Sequence, residues 1–165
     1  MKKALASLAV AVGVLVGLAG PALADTGRQE LILFAGPGEE EPTVFAIGPI
    51  SGTGTDVVLD EEFNEETGTF VSEDALEFPQ GTAFTTFSGT AEFEMNPVTC
   101  VARGGGDAAF DITGGTGHYE GASGSGSGTF RFLSVGQRTD EGCVESEDDP
   151  GFFFARLSGT ATVPD

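Results

Sequence analysis

The passage from Ala109 to Phe132 limits most sharply what this chain can fold into. Apolar and polar side chains alternate from Ala109 through Thr113, the period of a half-buried strand. Gly114, Gly115 and Gly117 follow within four residues, and glycine reverses a chain through positive φ without a Cβ clash. The chain resumes through Tyr119 and Ala122, and a second alternating stretch ends at Phe130 and Phe132. Two strands joined by a tight glycine turn are the reading, with at least one of the three glycines at positive φ.

The same punctuation recurs along the chain, and helical periodicity is nearly absent after the first residues. Strands are expected over Gln29–Ala35, Thr43–Ile50, Thr53–Leu59, Gly81–Met95 (or a bent pair there), Val98–Ala102 and Phe152–Val163. Asp60–Gly68 reads as an acidic loop anchored by Phe63, Arg103–Gly106 as a turn, and Asp140–Asp149 as a second acidic loop. Thr69–Phe78 is either a strand or one helical turn capped by Ser72. Ser-Gly-Thr occurs at residues 51–53, 88–90, 127–129 and 158–160, at spacings too irregular for a solenoid. Glycine inside a strand allows the coiling and close approach that a closed sheet needs; chance in a Gly- and Thr-rich chain is the alternative.

The N-terminus reads as a targeting segment. Lys2 and Lys3 precede an almost wholly apolar run from Ala4 to Leu18, Gly20-Pro21 breaks it, and Ala22-Leu23-Ala24 offers small residues for a signal peptidase. The run is short for a membrane span of about 20 residues. The expectation is a signal peptide over residues 1–24 and a single domain over 25–165, secreted and extracellular, with no membrane attachment after cleavage. Loss of Lys2 and Lys3 from seven cations leaves five arginines against 26 acids, a formal charge of −21. Such a charge repels nucleic acid and anionic membranes and attracts cations. In an exported chain the two cysteines, Cys100 and Cys143, are expected to form a disulfide.

Signals for chemistry are weak. The glycines at 114–117 lack the following helix and the lysine of a phosphate loop. His118 sits beside the turn, where solvent exposure is expected, and Tyr119 is expected at a barrel end with its hydroxyl in water. The acidic runs Glu39–Glu41, Asp60–Glu66 and Glu145–Asp149 fit no calcium-loop spacing and read as solvated surface; no metal site and no cofactor are expected. A carboxylate pair can serve as acid and base, but 26 acids offer too many pairs for sequence to choose. No serine-nucleophile elbow is present. Most of Phe84, Phe87, Phe93, Phe110, Phe130, Phe132 and Phe152–Phe154 are expected to fill the core; the interior is either filled by them or leaves a gap that would take a small apolar ligand.

The stretch Asp111–Gly124, with its Gly-Gly-Thr-Gly-x-aromatic-x-x-Ala-x-Gly pattern, resembles the hairpin of dirigent proteins and allene oxide cyclases. The likeness covers about 20 residues and implies an antiparallel eight-stranded β-barrel, with a homotrimer as one possible assembly. It carries over no catalytic residue. Two functions remain: a secreted non-catalytic barrel binding a small apolar ligand or a protein partner, and a cofactor-free isomerase or cyclase acting on a hydrophobic substrate inside the barrel. Buried ionisable groups in the lumen separate the two.

Overall fold

The computed structural model describes residues 24–140, 142–144 and 150–165; the expected leader, apart from Ala24, lies outside them. The described chain is all-β apart from one 3-10 turn. Its strands are β1 (Asp25–Ala35), β2 (Thr43–Ile47), β3 (Gly52–Asn64), β4 (Thr69–Phe78), β5 (Gly81–Asn96), β6 (Val101–Gly115), β7 (Ser123–Val135), β8 (Gln137–Thr139), β9 (Gly142–Val144) and β10 (Gly151–Val163). Eight of them close into an antiparallel ring in the order β1-β10-β7-β6-β5-β4-β3-β2, and β8 and β9 form a separate hairpin. Sequential strands are neighbours, so nearly every connection is a hairpin, and β10 returns to β1 to close the wall.

Side chains of paired residues share a face, so the register lays out the interior in tiers. One tier runs Leu31, Leu157, Gly128, Ala108, Gly89 and Phe70 around the wall. Gly89 and Gly128 belong to Ser-Gly-Thr repeats. A Cβ at Gly89 would strike the Phe70 ring and the Asp107 carbonyl, and one at Gly128 would strike the Arg156 carbonyl. These glycines therefore keep the wall thin enough to admit the aromatic rings.

The two ends of the ring differ. At one end, Tyr119, Phe78, Ile50, Leu31 and the amide of Gln29 are buried and close the interior. The Gln29 side chain donates to the Ile50 carbonyl at 2.9 Å and accepts from its amide at 3.0 Å, so this buried polar group is satisfied. The opposite end carries the β1–β2, β3–β4 and β5–β6 loops, and both acidic runs that fall wholly on described residues, Glu39–Glu41 and Asp60–Glu66, lie there. Cys100 and Cys143 are bonded at this end, joining the β5–β6 connection to the β8–β9 hairpin.

Several expectations need correction. Asp60–Asn64 is not loop: β3 continues to Asn64, paired with Thr69–Glu73 across a bulge between Val58 and Asp60. The bulge changes which residues face inward, so alternation is lost from the sequence although pairing continues. Thr69–Phe78 is a strand, and Gly81–Asn96 is one strand. The Val98–Ala102 strand and the Arg103–Gly106 turn are replaced by one strand, β6. Gly104 and Gly106 sit where a Cβ would meet the Phe132 ring or the Thr90 carbonyl, so this glycine run serves packing, not reversal. The Asp140–Asp149 loop contains β9, and Glu141 and residues 145–149 lie outside the described residues. Phe63, Phe93, Phe152 and Phe154 are exposed, the last two because they take the outward parity of β10.

Candidate functional site

Of the residues singled out from the sequence, Phe87, Phe130 and Phe153, with Glu40 and Glu61 of the acidic runs, line a cavity in the lumen, whereas the turn glycines, His118, Tyr119 and the two cysteines do not. Gly114 and Gly117 have φ of 152° and 61°, and Gly115 is packed so that a Cβ would press on the Tyr119 and Thr82 carbonyls. All three lie at the closed end. His118 is exposed there, with its ring 5.5 Å from that of Tyr119. Tyr119 itself is buried, and its hydroxyl donates to the Ser51 carbonyl (3.1 Å) or the Gln80 Oε1 (3.3 Å) rather than to water. It is a plug, edge-on to Phe78. The disulfide is at the other end, outside the lumen.

The interior is not filled. A cavity of about 270 Å³ lies toward the open end, walled by Leu33, Phe70, Phe87, Phe130, Phe153 and Leu157, with Ala108 and Ala155 making room. A larger, shallower trough of about 880 Å³ runs along the rim by Phe93, Phe132 and Phe152–Phe154. It is open to solvent and holds no buried polar group, so the chemistry rests with the smaller cavity.

Asp56, Ser72 and Asp74 enter that cavity from β3 and β4. In β4, Glu73 and Glu77 face out, which turns Ser72, Asp74 and Leu76 inward. Asp74 pairs with Val58, and Asp56 with Leu76, so the two aspartates are diagonal neighbours on the inner face. Thr85 of β5 is the direct partner of Asp74. Only 6% of Asp56 and 2% of Asp74 is exposed, and Thr85 is equally covered. Among the described residues, Oδ1 of each aspartate and Oγ1 of Thr85 have no hydrogen-bond partner, although buried polar atoms in folded proteins usually have one. Ser72 Oγ donates to Asp74 Oδ2 at 2.8 Å.

Burial pushes the Asp56 carboxyl up from its ordinary 3.8 to about 7, and the Asp74 charge adds to that. Asp74 rises to about 6, again chiefly through burial; the Ser72 hydrogen bond opposes the rise and Glu61 assists it. Both carboxyls therefore titrate close to neutrality.

A short strand opens the site. β2 has five residues and pairs with β3 only as far as Thr43↔Thr55, whereas β3 runs nine residues further. The Asp56 amide donates to the Pro42 carbonyl at 2.9 Å, the last tie across this gap. Glu40, Pro42, Val58 and Glu61 border the cavity on this side, and Val58 is 52% exposed. The site thus has an apolar wall, two buried carboxyls and an acidic mouth.

Sequence reasoning missed Asp56 and Asp74. A signal for Asp74 existed: in Thr69–Phe78 the glutamates mark one parity as outward, which leaves Asp74 with Phe70, Leu76 and Phe78. No family model, no curated protein and no solved structure matches this chain.

Proposed function

We propose that this is a secreted barrel protein that binds a small, mainly apolar molecule in its lumen. The observation that carries the reading is the 270 Å³ cavity walled by Leu33, Phe87, Phe130, Phe153 and Leu157. An apolar cavity of about 150 Å³ already takes benzene, so one ring with a short side chain fits here. The Cys100–Cys143 bond fits an oxidising compartment, and the N-terminal segment fits export. The likeness of Asp111–Gly124 to the dirigent and allene oxide cyclase hairpin supports the same reading, a barrel that receives hydrophobic molecules.

Titration with 2-phenylethanol, followed by methyl NMR, tests it. Leu33 and Leu157 should shift, while Ile47 on the outer wall should not. Absence of lumen shifts up to the solubility limit refutes the reading. Intact-mass analysis of the exported protein should show Asp25 as the first residue; a retained leader refutes secretion by cleavage.

A second reading, a cofactor-free isomerase, is favoured by Asp56 and Asp74. A carboxyl that titrates near neutrality both donates and accepts a proton efficiently. In such a reaction one aspartate takes a proton from the substrate and the other returns one at a different atom, so the net change is an isomerisation without redox. Carbon-13 titration of the two carboxyls tests the premise: midpoints near 7 and 6 support it, and ordinary midpoints near 4 remove it.

A further inference from the structure

Resting on the reading of the lumen as a binding site, we propose that its ligand is an organic cation, an apolar body bearing an ammonium group held between Asp56 and Asp74. Each aspartate is more than nine-tenths buried, faces the cavity, and keeps one carboxylate oxygen without a partner among the described residues. An ammonium supplies three donors, and the pair offers those two free oxygens. Charge-assisted hydrogen bonds in a buried site are stronger than neutral ones.

The surrounding groups point the same way. From β3 and the β1–β2 loop, Glu61 and Glu40 face the cavity; beside Asp74, β4 adds only the hydroxyl of Ser72 to its polar groups, and β5 contributes Phe87, with Thr85 lying next to Asp74 in the register. β1, β6, β7 and β10 contribute apolar residues. No arginine lines the cavity, so among the described residues the aspartates have no internal counter-ion. The acidic rim and the strongly negative chain raise the local concentration of cations at the mouth. A divalent metal is the weaker candidate, because no group of three histidine, cysteine or acidic side chains among the described residues converges to hold one. The apolar wall asks for a hydrocarbon body that a bare ion lacks.

The test compares 2-phenylethylamine with 2-phenylethanol on the purified protein by calorimetry at pH 8, in 0.3 M salt to screen the surface. The amine should bind at least about tenfold tighter, the usual yield of one charge-assisted contact. Asp56→Asn with Asp74→Asn should bring the amine down to the alcohol's affinity while leaving the alcohol bound, which shows the lumen intact. Lowering the pH from 8 to 5 protonates both aspartates and should weaken the amine about tenfold or more, with little effect on the alcohol. Should the double variant fail to fold, Asp56→Asn alone and the pH series on the unaltered protein decide the matter. Equal binding of amine and alcohol overturns the cation proposal and leaves the lumen reading standing. Binding of neither overturns both. Amine binding that ignores both the substitutions and pH is surface binding and also overturns the proposal.

Discussion

Replacing Asp56 by asparagine should stabilise the protein at alkaline pH relative to acidic pH. In the folded chain the carboxyl titrates at about 7 instead of 3.8. Because the folded value is the higher one, the native state holds a proton that the unfolded state has released. The stability linked to that proton is present below 3.8 and is lost as pH rises through about 7. The distance from 3.8 to about 7 corresponds to about 4 kcal/mol. Between pH 5 and pH 8 about 3 kcal/mol of it is crossed, because at pH 5 an unfolded aspartate is already mostly ionised. Asparagine has no charge to bury. Its amide adds its own burial cost, but that cost is the same at both pH values and cancels in the difference. Urea unfolding of the unaltered protein and Asp56→Asn at pH 5 and pH 8 measures this directly. With a slope of about 2 kcal/mol/M, the midpoint difference between the two proteins should change by about 1.5 M in favour of the variant at pH 8. An equal difference at both pH values refutes the buried-carboxyl reasoning, because a merely structural change at this position is indifferent to pH.

Gly115→Val and Gly117→Val should each destabilise by more than about 1 kcal/mol, through carbonyl overlap at Gly115 and positive φ at Gly117. Gly36→Val should cost less, since a Cβ there makes only an ordinary contact with the Glu39 carboxylate; urea midpoints of the three variants check this. Tyr119→Phe should cost about 1 kcal/mol, read by thermal melting, by stripping a donor from the Ser51 carbonyl. Reduction of the Cys100–Cys143 bond, which spans 43 positions, should lower stability by about 2–4 kcal/mol, visible as a lower urea midpoint with reductant. Ser72→Ala should raise the Asp74 titration midpoint in carbon-13 spectra, because the hydroxyl stabilises the ionised form.

The residues that alternate strictly were the ones whose structure could be read directly. The β6–β7 hairpin follows its pattern because one face meets the core and the other meets water. The pattern failed where a bulge at residues 58–60 changes the inward parity, and where Gly104–Gly106 imitates a turn. A glycine run has the same composition whether it bends the chain or lies beneath a neighbouring ring. Only the partner strand distinguishes the two.

The amino-acid sequence by itself determined an all-β chain, its glycine-turned hairpin, its acidic character and the cysteines available for a bridge. These follow from local period, backbone freedom and composition, which need no knowledge of distant residues. The tertiary structure decided that Asp56 and Asp74, 18 positions apart, share a buried cavity, and that Tyr119 closes its far end. A carboxyl's environment is set by the strands packed around it. The same aspartate on the outer wall would be an ordinary surface acid; facing the lumen without a counter-ion it titrates near neutrality.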